Sequence, residues 1–159
     1  MAVDRASAAE MEAHMRAKAR QHKPGQMNKN EAAYARQLAE RQRAGEIVRY
    51  RFEPMKFRLA DLAYYTPDFE VQLPNGTIEF HEVKPGYRQK LKDGTRREAP
   101  FCFEDAKLKI RVTAAQFDEF AFLIVFPLKA GGWGRVEFGT RAIADIAPAD
   151  QQMEVPCGA

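Results

Sequence analysis

Cysteine is scarce in this chain: Cys102 and Cys157 are the only two in 159 residues. Two thiols cannot build a disulfide framework or a zinc site. Both read as reduced thiols of a cytoplasmic protein. Long apolar runs are missing too. The longest, Phe120 to Leu128, is about half of the ~18 residues that a membrane span needs. The N-terminus is charged and polar without an apolar core segment, so no signal peptide is expected. No internal repeat is visible. A strong charge of one sign is also lacking, since the formal net charge is only +3. Its distribution is uneven: net +6 over residues 1–60, −2 over 61–120 and −1 over 121–159. A basic N-terminal third precedes a middle third where carboxylates gather, which is compatible with phosphate binding. With 45% apolar and 30% charged residues, the remainder is the composition of one soluble globular domain.

Residues 4–23 predict an Ala-, Glu-, Arg- and Met-rich helix that ends at Pro24-Gly25, an extension or basic arm occupying 1–27. A second helix is expected from Lys29 to Ala44. Its entry, Asn28-Lys29-Asn30-Glu31, fits a cap with an acid three positions later. Ile47 to Leu59 reads as strand-like with a bend or edge at Pro54. Thr66 to Leu73 and Thr77 to Lys84 predict a hairpin around Pro74-Asn75-Gly76. Residues 85–100, with five Lys/Arg against two acids, read as a long mobile loop. A third helix is expected over Phe103 to Phe117. Phe120 to Phe126 is short and continuously apolar, as a buried central strand is. Arg135 to Phe138 reads as a last strand, Thr140 as a cap of a terminal helical turn, and 148–159 as a frayed tail. The order predicts a mixed α/β sandwich over 28–147.

The chemistry centres on Pro67-Asp68 and Glu82-Val83-Lys84. Alternation along a strand puts Glu82 and Lys84 on one face. Whether Asp68 joins them depends on the turn. A two-residue Asn75-Gly76 turn would set Asp68 opposite Val83, facing away from Glu82. That turn asks the residue before it for an N–H, and Pro74 has none. A type I turn with Gly76 left-handed as a bulge pairs Leu73 with Thr77 and sets Asp68 across from Glu82. The residues favour this second register. Two carboxylates ~4 Å apart repel by about 4 kcal/mol at an effective dielectric of ~20. A divalent cation reverses that sign, and hard oxygen ligands suit Mg²⁺ or Mn²⁺. Such an ion lowers the pKa of a bound water, and Lys84 beside it is placed to orient the water or steady phosphate charge.

Asp68 after Pro67, followed by Glu82-x-Lys84 at the end of the next strand, resembles the PD-(D/E)XK nuclease superfamily. The order helix, three strands, helix, strand is similar to the core of that restriction-endonuclease-like fold, over roughly residues 28–127. More narrowly, the chain looks like small phage-borne endonucleases and their Holliday junction resolvase relatives. Pro85 departs from the glycine that many relatives carry there. The resemblance implies a magnesium-dependent DNA endonuclease, with branched DNA a candidate substrate and a homodimer a candidate assembly. It implies Asp68 and Glu82 as metal ligands, the backbone carbonyl of Val83 completing the site, Lys84 as the catalytic lysine and Glu31 as a helix-borne acid.

Plainer readings stand beside these. Asp68 can cap a turn after Pro67, Glu82 and Lys84 can form a solvated strand face, and the capping box accounts for Glu31 by itself. His81 alternates to the opposite face. Tyr64 and Tyr65 read as core packing, with DNA contact as the other option. Candidate phosphate contacts are Arg88, Lys90, Lys92, Arg96 and Arg97 in the basic segment and Lys107 on the third helix. A non-cleaving nucleic-acid-binding module of the same fold and a phage structural or interaction protein are the competing functions.

Overall fold

A computed structural model describes residues 25–139. The expected helix at 4–23, the Thr140 turn and the C-terminal tail lie outside the described residues. Helix α1 spans Lys29–Arg43 and starts in the expected capping box. The Asn28 side chain accepts from the N–H groups of Asn30 and Glu31, while Glu31 reaches back to the Asn28 N–H at 2.8 Å. Orphan amides at both ends of that exchange are thereby satisfied.

Nine strands follow among the described residues: β1 (Arg49–Phe52), β2 (Phe57–Ala60), β3 (Ala63–Tyr65), β4 (Phe69–Gln72), β5 (Ile78–Val83), β6 (Gly86–Lys90), β7 (Arg96–Pro100), β8 (Ala121–Pro127) and β9 (Trp133–Phe138). Helix α2, Glu104–Gln116, lies between β7 and β8. Five strands form one mixed sheet in the order β1-β4-β5-β8-β9. All its neighbours are antiparallel except β5 and β8. A parallel pair needs a long crossover, and here α2 and the β6–β7 hairpin both belong to it. Taken in chain order, α1 and the main-sheet strands with α2 read α, β, β, β, α, β, with β9 added at the edge.

Alternation divides the sheet into two faces. Phe69, Val71, Val83 and Val125 pack under Tyr34 and Leu38 of α1. Phe80, Phe122 and Ile124 pack with Ile110 and Ala114 of α2 and with Phe57 and Tyr65. Because β8 feeds both clusters, six of its seven residues are buried, which is why its sequence shows no alternation. Among the described residues no helix is long and apolar enough to cross a membrane.

One expectation is sharpened and one is corrected. The strand-like segment Ile47 to Leu59 is broken around Pro54 into two strands of different sheets. Glu53 adopts a left-handed φ of 42° and its N–H donates to the Asp68 carbonyl at 2.8 Å. There the chain leaves the main sheet after β1, and β2 pairs with β3 as a separate two-stranded sheet. Residues 85–100 are not a loop. They form the β6–β7 hairpin, with Tyr87 paired to Ala99 and Lys90 to Arg96. The chain rejoins the body where the Phe101 N–H donates to the Pro85 carbonyl at 2.7 Å.

Candidate active site

The β4–β5 turn decides the site. The Leu73 N–H donates to the Thr77 carbonyl at 2.9 Å, the Gly76 N–H donates to the Leu73 carbonyl at 3.0 Å, and Gly76 has φ 90°. This is the bulged turn, with glycine where a side chain would be strained. Asn75 Oδ1 accepts the Thr77 N–H at 3.0 Å and tightens it. The ladder then pairs Gln72 with Ile78 and Phe69 with His81. Continued by one residue, that register sets Asp68 across from Glu82.

Asp68 Oδ2 accepts the Val83 N–H at 2.6 Å. Lys84 Nζ donates to Glu82 Oε1 at 2.7 Å, and the buried Tyr65 hydroxyl donates to Glu82 Oε2 at 3.0 Å. Asp68, Glu82 and Lys84 thus meet on the α2 face of the sheet. Val83 joins through its backbone N–H while its side chain packs on the α1 face. Glu31 is buried and serves as the capping acid. It is also one of the negative charges that Asp68 feels.

The electrostatics are unbalanced. Burial first, and then the neighbouring Glu82, push the Asp68 carboxyl well above the usual carboxylate range, and Glu31 adds to the push. Lys84 and the Val83 N–H oppose it without winning. Burial works against the Lys84 ammonium, but Glu82 and Asp68 outweigh it and raise its pKa. Burial, with Glu82 and Asp68, also drives the Tyr65 phenol upward. Two strand positions along from Asp68, the buried Glu70 makes a useful contrast. Arg51 grips it at 2.8 and 2.9 Å and Arg49 stands at 3.5 Å. Glu70 therefore has guanidinium partners of its own, whereas Asp68 and Glu82 share one ammonium. A buried Glu82 and a half-buried Asp68 with one cation between them leave room for another positive charge.

The oxygen-only character of the acids fits a hard divalent cation. Among the described residues, however, no three His, Cys, Asp or Glu side chains form a ready-made metal cluster. Each Glu82 oxygen accepts one hydrogen bond, from Tyr65 or from Lys84, and keeps a lone pair for a cation.

Tyr65, read from sequence as packing, is also the partner of Glu82. Its position three residues before Asp68 is the only signal that points there. Cys102 lies close enough for the Lys84 charge to act on its thiol, although burial dominates and raises it. His81 faces α1, as alternation demands. It is buried between the Tyr34 hydroxyl at 2.7 Å and Glu79 at 2.9 Å, away from the acids. Arg88, Lys90, Lys92, Arg96 and Arg97 all lie on the β6–β7 hairpin or its tip. Lys107 on α2 is ion-paired with Glu104 at 2.8 Å.

No family model, curated protein or solved structure matches the chain.

Proposed function

We propose that this chain is a Mg²⁺- or Mn²⁺-dependent endonuclease of the PD-(D/E)XK type, hydrolysing phosphodiester bonds in DNA in the cytoplasm. The observation that carries the reading is the bulged β4–β5 turn, which sets Asp68 across from Glu82 with Lys84 on the same face. The α, β, β, β, α, β order around the mixed sheet supports the same assignment. Asp68, Glu82, the Val83 carbonyl and Glu31 are the residues that would hold the ion. When bound, it supplies a hard Lewis acid that offsets the paired carboxylates and steadies charge on a phosphate oxygen.

The chain's own groups do the rest. Lys84, kept protonated by its acidic neighbours, presents an ammonium to the negative charge that grows on the phosphate during hydrolysis. Tyr65 fixes the rotamer of Glu82. The cationic hairpin that begins directly after Lys84-Pro85 holds the nucleic-acid backbone. Relatives of this kind often pair two active sites, so a homodimer cutting both strands belongs to the proposal.

One observation favours a second reading. The engagement of both Glu82 oxygens suits a nucleic-acid-binding module that does not cleave. Nicking of supercoiled DNA decides between them. The nuclease reading expects nicking in Mg²⁺, none in chelator, and loss of activity in a folded Lys84→Ala variant. DNA binding with no nicking under any divalent cation supports the second reading instead.

A further inference from the structure

Sequence alternation in β6 and β7 carries no apolar stripe, yet the hairpin is well formed. Its tip repeats the β4–β5 turn: the Leu91 N–H donates to the Thr95 carbonyl at 2.8 Å and the Gly94 N–H to the Leu91 carbonyl at 3.1 Å. Gly94 has φ 86°. Asp93 Oδ1 accepts both the Thr95 N–H at 2.9 Å and the Thr95 hydroxyl at 2.6 Å. The two faces of this ribbon differ. Tyr87, Gln89, Arg97 and Ala99 share one face, on which Tyr87 is exposed, Ala99 is buried and Arg97 Nε donates to Gln89 at 2.9 Å. Arg88, Lys90 and Arg96 share the other face and are all exposed. Among the described residues none of these three makes an ion pair. Glu98, the acid across from Arg88, is occupied by the Lys129 N–H at 2.6 Å.

We infer that the β6–β7 ribbon inserts its Arg88/Lys90/Arg96 face into the major groove of B-form duplex DNA, making the double helix the substrate of the site that β5 carries. The inference rests on the nuclease reading for the chemistry that follows, but not for the binding itself. A two-stranded ribbon, with strands about 4.8 Å apart, is one of the few protein elements that fit a groove about 12 Å wide. The guanidiniums of Arg88 and Arg96 match the paired acceptors on the guanine edge, and Lys90 adds charge between the phosphate walls. Single strands offer no groove to enter. The major groove of A-form RNA is too deep and narrow for side chains to read. Continuity fixes the geometry further: Gly86 opens β6 two residues after Lys84, so a duplex held by the ribbon lies next to the acids.

The test is fluorescence anisotropy in chelator, where no cleavage occurs, with the full chain. The probes are a labelled DNA duplex, its single strand and the matching RNA duplex. The expected result is duplex DNA bound about 10-fold or more tightly than either other probe. The Arg88→Ala/Lys90→Ala/Arg96→Ala variant should lose about 10-fold or more for duplex DNA and show a shallower salt dependence. Arg43→Ala, which removes an exposed cation of α1, should stay within about 2-fold. Circular dichroism confirms that each variant is folded. Equal affinity for all three probes, or a folded triple variant that binds duplex as the native chain does, overturns the inference. Duplex preference without nicking in Mg²⁺ leaves the ribbon standing and removes the nuclease reading. Nicking that the triple variant retains in full does the reverse.

Discussion

Two hairpins in this protein share one turn. Leu73-Pro74-Asn75-Gly76-Thr77 and Leu91-Lys92-Asp93-Gly94-Thr95 have the same leucine, Asn or Asp, glycine and threonine, and the same pair of backbone hydrogen bonds closes both. Their surroundings are opposite. The β4–β5 hairpin lies at the centre of the main sheet, between α1 and α2, and carries the acids. The β6–β7 hairpin stands apart as a two-stranded sheet and carries the cations. Local chemistry sets the turn in both, whereas tertiary burial decides what the strands do. In the first it brings like charges together at a cost. In the second it leaves like charges in water, where they repel little.

The largest expected effect falls on the buried hairpin. Asp68→Asn keeps an oxygen for the Val83 N–H but removes one of the two acids. Mg²⁺-dependent cleavage should fall to background, while the metal-free protein gains about 1–2 kcal/mol at pH 8 by chemical denaturation. A residue that costs stability while serving the site is the mark of a functional strain. Lost stability together with retained cleavage would contradict the account.

The same pair gives a pH dependence. The folded Asp68 pKa is raised, so between the ordinary aspartate value of about 4 and the higher folded one the native state holds more protons than the unfolded chain. That contribution to stability is fully present below the unfolded pKa and is lost as pH rises through the folded pKa. The stability advantage of Asp68→Asn in metal-free protein should therefore grow from about pH 4 upward. Denaturant midpoints measured across pH check this, and a flat difference would contradict it.

The turns themselves come next. A Cβ meets nothing within 4 Å at Gly76 or Gly94, so Gly→Ala at either costs only the left-handed backbone. Gly76→Ala should lower global stability by about 1–2 kcal/mol. Gly94→Ala should leave global unfolding within about 0.5 kcal/mol and instead speed amide exchange in β6 and β7 alone. Equal global losses would show that the ribbon is part of the core unit. The smallest effect is that of Tyr65→Phe, which removes one hydrogen bond to Glu82 and should cost about 1 kcal/mol or less with a several-fold change in cleavage rate.

Sequence alone made one hairpin readable and hid the other. Around Pro74-Asn75-Gly76 the strands alternate apolar and polar, and the missing N–H of Pro74 selects the register. Around Asp93-Gly94 the same turn chemistry is present, but Arg88-Gln89-Lys90 and Arg96-Arg97-Glu98 have no apolar period because the ribbon buries little. The pairing of β2 with β3 was hidden for another reason. The two strands are separated from their neighbours by the left-handed Glu53 and joined through the left-handed Leu62, and neither residue type signals such a backbone. Asp68, Glu82 and Lys84 were legible because strand alternation and one turn bring them together. The Tyr65 hydroxyl was not, because it arrives from the small β2–β3 sheet, whose docking is wholly tertiary.

The most direct test is a crystal structure grown with Mn²⁺, read by its anomalous signal. The account predicts one peak bound by carboxylate oxygens of both Asp68 and Glu82 at about 2.0–2.6 Å, with the Lys84 ammonium displaced from Glu82 or beside the ion. An acid pair without any peak at saturating Mn²⁺, or a peak held by only one of the two residues, would contradict it.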